Sequence, residues 1–254
     1  MRRKLPLSDH LTASSTRAAT HNGDITQQRE SWLNKVRIEW YQIMRPLGSW
    51  VPWDLRETVV LEETEVEDYF TPAPMLKSRH VENCRVVEDR LALLSRCLPT
   101  KSICCEVGTD RGDFARQILQ RTEPKELHLI DITLRNLQTK FLEASLADGV
   151  IQLHEDDSVR ALIRFPDRYF DWIYIDGNHS YEGVKRDISV AKYKVKPDGL
   201  LVFNDYTFWS HRELMAYGVM QAVNEFCLEE SWEIITLALS PEAVNDVVLR
   251  KIRR

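Results

Sequence analysis

Two short polar runs contain the residues whose types suit chemistry. The first reads Asp-Gly-Asn-His-Ser-Tyr from Asp176, and the second reads Asn-Asp-Tyr from Asn204. Two carboxylates and an amide oxygen are hard oxygen ligands that suit Mg²⁺, so the sequence predicts a divalent ion held by Asp176, Asn204 and Asp205. His179 titrates near neutrality and can accept a proton from a hydroxyl, which makes His179, with Asp176, the candidate catalytic pair.

A structural role stays open for the same side chains. Asp176 and Asp205 could serve only to orient helix amides or a cofactor, and His179 could cap or pack on a helix. Tyr181 is more typical of a packing aromatic on a helix than of a catalytic group. Three side chains follow the second run and are candidates for lining an acceptor pocket, namely Phe208, Trp209 and His211.

A glycine turn precedes these runs and reads Glu-Val-Gly-Thr-Asp-Arg-Gly. Two glycines four apart let a backbone approach a ligand closely, and the following helix offers free amides there. The spacing differs from the GxGxxG of dinucleotide-binding proteins, which disfavours a pyrophosphate cradle. The carboxylate of Glu106 could attract a cationic ligand group. The alternative for the whole segment is a glycine turn with a structural role only. The candidate cofactor-binding residues here are Glu106, Gly108, Thr109, Asp110 and Gly112.

Two further strand ends carry hydrogen-bond acceptors. Asp131 follows a short apolar run about 20 residues past the glycine turn, where such folds place an acid on ribose hydroxyls. Asp156, Asp157 and Ser158 follow the next apolar run and can offer an acceptor and donors to a purine edge. Asp157 or Ser158 could instead cap the helix that follows, and both roles can coexist. We therefore expect Asp131, Asp157, Ser158 and Asp176 to contact one cofactor.

Together these strand ends resemble the cofactor site of class I S-adenosylmethionine-dependent methyltransferases. The glycine turn matches the first motif of that superfamily, and Asp131 matches its ribose-binding acid. The resemblance covers the chain from about residue 80 to its end. It implies a Rossmann-like methyltransferase fold, S-adenosylmethionine as cofactor and methyl transfer as the activity.

The two polar runs are similar to those of the subfamily that contains macrocin O-methyltransferase and related natural-product enzymes. This resemblance implies O-methylation of a small-molecule hydroxyl, with Asp176 and Asp205 as ligands of a divalent metal and His179 as the general base. Asn204 departs from that pattern, which has Glu at this position, so one negative charge is missing. Three alternatives stay open: a metal-independent N- or O-methyltransferase, a nicotinamide-dependent oxidoreductase, and a cofactor-binding protein without turnover.

Short apolar runs alternate with helical patterns along most of the chain. This alternation implies right-handed crossovers and a parallel sheet. Two final β-rich runs predict an antiparallel hairpin at one sheet edge, so the predicted fold is a doubly wound, mostly parallel seven-stranded α/β sheet. The predicted strands are 103–107, 127–130, 150–153, 170–175 and 200–203, with the hairpin at 232–239 and 246–252. The predicted helices are one from about 81 to 97 and others at 112–121, 135–148, 159–164 and 181–195.

The predicted domain boundary separates an N-terminal extension, residues 1–79, from a methyltransferase domain, residues 80–254. Residues 1–27 are polar and lack periodicity, which is typical of a mobile leader. Residues 28–44 have helical spacing, and the acidic, Trp-rich stretch 50–70 is a candidate lid, with a packed extension as the alternative.

Composition excludes several classes of partner. The net charge of −5 gives no support for a nucleic-acid surface. No apolar run approaches the ~20 residues of a membrane span. The five cysteines are odd in number and lack CxxC spacing, which favours a reduced, cytoplasmic setting, with Cys104 and Cys105 on opposite faces of a strand. We expect a small-molecule acceptor and no nucleic-acid or membrane partner, and a homo-oligomer stays open.

Overall fold

A computed structural model describes residues 72–253. Residues 1–71 of the predicted extension, which include its predicted helix and candidate lid, lie outside the described residues. The strands are β1 (Arg85–Val87), β2 (Ile103–Val107), β3 (Glu126–Asp131), β4 (Ile151–Glu155), β5 (Phe170–Ile175), β6 (Val195–Tyr206), β7 (Trp209–Ser210), β8 (Met215–Ala216), β9 (Trp232–Ala238) and β10 (Asn245–Lys251). The helices are α1 (Arg90–Cys97), α2 (Asp113–Thr122), α3 (Glu143–Ala147), α4 (Ser158–Ile163), α5 (Tyr181–Lys194) and α6 (Val219–Glu230), with 3₁₀ turns at Ser78–His80 and Thr139–Phe141.

The main sheet of the described residues has the strand order β1-β9-β10-β6-β5-β2-β3-β4. Strands β6, β5, β2, β3 and β4 pair in parallel, whereas β10 pairs antiparallel with both β6 and β9. The chain moves outward from β2 to β4 and then returns to β5 on the other side of β2. Such a reversal opens a crevice beyond the carboxyl ends of the strands, where doubly wound sheets bind ligands.

Helices cover both faces of this sheet. Strand β2 is buried on both sides because Cys104 packs with α1 and α2, while its neighbour Cys105 packs with α4, α5 and α6. Both thiols are free and fully buried, so the prediction that they point to opposite faces is confirmed. Among residues 72–253, none of the helices combines the length and the apolar character needed to cross a membrane.

The sheet edge differs from the prediction. Strand β1 pairs in parallel with β9 and forms an eighth strand, so the terminal hairpin lies inside the sheet rather than at its edge. The helix predicted from Val81 begins only at Arg90, because the Asp89 carboxylate accepts the amide of Ala92 at 2.7 Å and caps α1 there. Val86, assigned to that helix by spacing, belongs to β1.

Two helical predictions need correction. The helix predicted at 135–148 is shorter, because the residues before the 3₁₀ turn form a loop that contacts the glycine turn. In this loop, Gln138 donates its backbone amide to the carbonyl of Arg111 at 3.1 Å, and the Asn136 side chain donates to the Asp110 carboxylate at 2.9 Å. Helix α6 was not predicted. Its apolar residues recur at helical spacing, at positions 219, 222, 223, 226 and 227, so the signal for it was present.

Candidate functional site

The glycine turn joins β2 to α2 and touches the end of β5. Gly108 has a φ of +89°, and a Cβ there would lie 1.9 Å from the carbonyl oxygen of Asp176. Gly112 also has a positive φ, +79°, and directly precedes α2. Gly108 donates its backbone amide to the carbonyl oxygen of Ile130 at 2.9 Å, and Asp176 donates its backbone amide to the carbonyl oxygen of Val107 at 2.8 Å. The ends of β2, β3 and β5 are therefore locked together, and glycine is required at position 108.

Asp131 at the end of β3 holds the glycine turn in shape. One carboxylate oxygen accepts the amides of Thr109 at 2.9 Å and Asp110 at 2.8 Å, and the other accepts the amide of Thr133 at 3.2 Å. A carboxylate has about four acceptor sites, so Asp131 keeps capacity for a further donor such as a ribose hydroxyl.

Glu106 lies beneath the turn, where it is 1% exposed. Its carboxylate accepts the Thr109 hydroxyl at 3.4 Å. Burial raises the pKa of Glu106 well above its ordinary range, and the charge of Asp176 adds to this effect. A cationic ligand group entering the crevice would favour the ionised form of this carboxyl.

The residues after β4 carry the capping role that was left open for them. Asp157 caps α4 by accepting the amide of Arg160 at 3.2 Å, and it also pairs with Arg186 at 3.1 Å. Ser158 donates its hydroxyl to the buried Asp187. Contact with a purine edge stays a prediction for Asp157 and Ser158.

His179 lies in the loop between β5 and α5, which is shaped by local bonds. Asn178 accepts the amide of Ser180 at 2.9 Å, and Ser180 caps α5 through the amide of Gly183 at 3.1 Å. The His179 Nε2 atom is buried and lies 3.3 Å from Asp176 Oδ1. The two groups are not aligned for a hydrogen bond, and Nε2 has no such partner among residues 72–253.

The electrostatics of His179 favour a basic imidazole. Burial lowers the pKa of His179, but the Asp176 carboxylate, with smaller contributions from Asp205 and Glu213, raises it above the ordinary 6.5. The imidazole packs against the ring of Tyr217, with the ring centroids 4.6 Å apart and the planes tilted by 32°. The structure thus brings the two predicted catalytic residues together.

The second polar run lies in a buried network that sequence reasoning missed. Asn204 donates its amide nitrogen to Asp246 Oδ1 at 3.0 Å, and Tyr174 donates its hydroxyl to Asp246 Oδ2 at 2.5 Å. Arg90 places a guanidinium nitrogen 3.5 Å from Asp246 and 3.9 Å from Asp205. Asp246 is 2% exposed, and a charge inside the apolar run of β10 was the available sequence signal.

The predicted metal ligands do not fit a divalent ion. Asn204 turns its amide nitrogen toward Asp246, and the guanidinium of Arg90 lies against Asp205, where the positive charge of a metal was expected. A metal ion bound by Asp205 would lie close to the guanidinium of Arg90, and two positive charges so close together repel each other strongly when they are partly buried. The described part of the chain contains no group of three or more His, Cys, Asp or Glu side chains arranged to hold a metal.

Two cavities open at the carboxyl ends of the strands. The smaller, about 440 Å³, is lined by residues from the ends of β3 and β4 that include Asp131, Asp157 and Ser158. The larger, about 640 Å³, is lined by His179, Asp205 and residues of the β7–β8 ribbon and the β9–β10 turn. Three residues line both cavities, namely Gly108, Asp110 and Asp176. The cavities therefore meet at the glycine turn, and each is of the size of a small-molecule site.

The predicted acceptor-pocket residues differ from the observed lining. Tyr181 donates its hydroxyl to Glu225 of α6 at 2.6 Å, which agrees with the packing role expected for it. None of the predicted lining residues borders either of these two cavities. The ribbon contributes instead Ser210, Arg212 and Glu213, followed by Tyr217. Arg212 and Glu213 lie in the turn that joins the two strands of the ribbon, and sequence reasoning did not predict this ribbon. The predicted residues that do not line the cavities are Phe208, Trp209 and His211.

Residues 105–206 match a family model described as a methyltransferase domain. This part of the chain is therefore similar to methyltransferase domains, and the similarity supports an enzymatic activity. No curated protein sequence matches it.

Three solved structures illustrate the similarity of fold. The pyocyanin biosynthetic protein PhzM superposes with a TM-score of 0.51 at 14% identity, over 64% of this chain and 54% of that one. An O-methyltransferase family protein from Burkholderia thailandensis superposes with a TM-score of 0.50 at 13% identity, over 64% of this chain and 55% of that one. A protein from Corynebacterium glutamicum superposes with a TM-score of 0.50 at 16% identity, over 72% of this chain and 84% of that one. The match spans about half the length of the first two proteins.

Proposed function

We propose that this enzyme transfers a methyl group from S-adenosylmethionine to a hydroxyl oxygen of a small-molecule acceptor. The observation that carries the proposal is the meeting of two cavities at Gly108, Asp110 and Asp176. One cavity suits a cofactor and the other an acceptor, so the reacting groups would meet at the shared wall. The methyltransferase domain found in the chain supports this assignment.

The smaller cavity and the glycine turn beside it carry the polar groups that S-adenosylmethionine requires. Asp131 accepts ribose hydroxyls, and Asp157 and Ser158 contact the base. Glu106, which lines the larger cavity, and Asp176, which lines both, attract the positively charged amino acid end. When bound, S-adenosylmethionine supplies an already activated methyl group. The protein therefore has two tasks, which are to align the partners and to remove the acceptor proton. The glycine turn completes the cofactor set with Gly108, Thr109, Asp110 and Gly112.

His179 is the general base of this proposal. The charge of Asp176 near Nε2 makes the imidazole a better proton acceptor and would stabilise the imidazolium that forms. The proton of the acceptor hydroxyl would move to His179 as the oxygen attacks. No step is assigned to Mg²⁺, because Asp176, Asn204 and Asp205 do not fit a divalent ion in this arrangement.

A second candidate is N-methylation of an amine. The larger cavity is lined by nine carboxylates and three guanidinium groups, so its field favours a cationic acceptor. A protonated amine would also need a base, which His179 could provide. The carboxylates are Asp89, Glu106, Asp110, Asp113, Asp176, Asp205, Glu213, Glu242 and Asp246, and the guanidinium groups belong to Arg90, Arg111 and Arg212.

We place the reaction in the cytoplasm, because the five cysteines are all free and two of them are fully buried thiols. The acceptor is a small molecule in this proposal, with no nucleic-acid or membrane partner, and a homo-oligomer stays open as its assembly.

Calorimetry and mass spectrometry test the proposal together. The protein should bind S-adenosylmethionine and not NAD, and one product in a screen of sugars, polyketides, phenols and amines should gain a single methyl group. Fragmentation then locates the methyl group on oxygen or nitrogen. Methylation of an amine but of no hydroxyl would select the second candidate. Binding of NAD without S-adenosylmethionine would contradict both.

A further inference from the structure

The cluster of Asp205 and Asp246 has its own cation. Asp205 lies next to the last residue of β6 and Asp246 next to the first residue of β10, and both line the larger cavity. The guanidinium of Arg90 lies between them, at 3.9 Å and 3.5 Å. Burial raises the pKa of each carboxyl, and the charge of Arg90 opposes that rise in both. Arg90 is thus a cation that the two carboxylates share.

The position of Arg90 is fixed from several sides. It is the first residue of α1, directly after the capping residue Asp89. Its guanidinium packs over the ring of Phe114 at 5.1 Å, and that ring contacts Tyr174 at 4.5 Å. Tyr174 in turn donates its hydroxyl to Asp246. A side chain held by ring stacking and by two carboxylates has a single well-defined location.

We propose that Arg90 is the resident cation of the acceptor site, taking the place that the sequence predicts for a divalent metal. Arg90 acts as a positioning residue: it holds Asp205 and Asp246 in place and balances their charge, so that methyl transfer needs no divalent ion. The proposal deepens the function proposed above and rests on it for the reaction.

The departure at Asn204 agrees with this exchange of cations. Arg90 carries one positive charge where Mg²⁺ would carry two, so fewer carboxylates are needed around it. At position 204 the side chain is neutral, and its amide nitrogen is a donor to Asp246 rather than an oxygen ligand. The carboxylate of Asp246 is therefore bound by donors that belong to the chain: Arg90, Asn204 and Tyr174.

Manganese binding tests the proposal without depending on turnover. Mn²⁺ added to the full-length protein is followed by electron paramagnetic resonance, which distinguishes free from bound ion. The unaltered protein should bind no stoichiometric Mn²⁺ at millimolar concentrations. Arg90→Met should bind Mn²⁺ about tenfold more tightly or better, because Asp205 and Asp246 lose the cation that they share.

Arg250→Met is the matched control. Arg250 also pairs with a buried carboxylate, that of Glu233 at 2.7 Å, and its side chain is 38% exposed against 36% for Arg90. This control should bind no more Mn²⁺ than the unaltered protein. The measurement on the unaltered protein stands by itself if Arg90→Met fails to fold.

Activity provides the second readout. Once an acceptor is known, transfer should continue in excess chelator, and Arg90→Lys should retain more activity than Arg90→Met because it keeps the charge. Stoichiometric Mn²⁺ binding that is lost in Asp205→Asn, no gain of binding in Arg90→Met, or loss of activity in chelator would each overturn the proposal. Absence of any methyl transfer would refute the proposed function instead and leave the manganese result to decide the role of Arg90.

Discussion

The basicity of His179 depends on charges from three segments of the chain. Asp176 lies in the same loop, Asp205 lies near the end of β6, and Glu213 lies in the turn between β7 and β8. Together they raise the pKa of the imidazole against the effect of burial. Only the neutral imidazole can accept a proton, so the transfer rate should fall as the pH drops through this raised pKa, at values above the ordinary 6.5.

Glu213→Gln should move that acidic limb of the pH–rate profile to lower pH. The substitution removes one negative charge near His179, so the imidazole loses its proton at a lower pH, by about a few tenths of a pH unit for a single exposed charge. The measurement is kcat/KM for methyl transfer across pH. Glu242→Gln is the control, since Glu242 lines the same cavity but contributes nothing resolved to the pKa of His179. A shift equal in both variants, or toward higher pH, would contradict the assignment.

Local sequence predicted the residues of the site that lie in one short segment. Asp176 and His179 are three positions apart, and their chemistry can be recognised from that spacing. Arg90 and Asp246 are 156 positions apart, and only the insertion of β10 beside β6 brings them together. A pairing of that kind has no local pattern, so the contact of Arg90 with Asp246 could not be predicted.

At the scale of elements, the β2–α2 turn fixes the relation between the two cavities. Gly108 combines a positive φ with direct contact to the β5 backbone, and each alone disfavours a side chain. The turn is held from the other side by Asp131 at the end of β3. Its conformation is therefore set by neighbouring strands rather than by its own sequence.

Gly108→Ala should destabilise the fold by more than about 3 kcal/mol, because the new Cβ adds a backbone clash to the strain of a left-handed φ. Gly149→Ala separates the two effects. Gly149 has a φ of +73°, and a Cβ added there would meet no neighbouring atom within 4 Å, so only the strain of about 1–2 kcal/mol applies. Urea denaturation measures both free energies of unfolding. Equal losses in the two variants would show that contact with Asp176 is unimportant.

The predictions were most accurate for the buried central strands. The central strands β2 and β5 agree with prediction residue for residue, since each is a short apolar run buried on both faces. Strand β1 has only three residues and pairs with a strand that is distant in the sequence, so its residues were assigned to the predicted helix that follows. The loop before α3 has a composition that favours a helix, but its hydrogen bonds to the glycine turn hold it in a non-helical conformation.

The molecule as a whole couples cofactor binding to the stability of the crevice. Asp131 contributes to both, since it holds the glycine turn and, in the proposed function, the ribose. A ligand that binds only the folded state raises its stability by an amount set by the ligand concentration and the dissociation constant. Thermal unfolding in the presence of S-adenosylmethionine therefore reports on the whole site.

Asp131→Asn should weaken S-adenosylmethionine binding by roughly 1.5–3 kcal/mol, since the amide keeps an acceptor oxygen but loses the charge. Its thermal shift with the cofactor should shrink accordingly. Glu155→Gln is the control, because Glu155 ends the adjacent strand β4 and also accepts a backbone amide, that of Leu134 at 3.3 Å. An unchanged dissociation constant in Asp131→Asn would remove the ribose assignment.

The central claim is that His179 removes the acceptor proton during methyl transfer, and its most direct test is the rate of a single turnover. His179→Ala should slow transfer by about 10²–10⁴-fold at saturating cofactor and acceptor. Its dissociation constant for S-adenosylmethionine should stay unchanged, because His179 lines the acceptor cavity and not the cofactor cavity. A variant that transfers the methyl group at the rate of the unaltered enzyme would contradict the account.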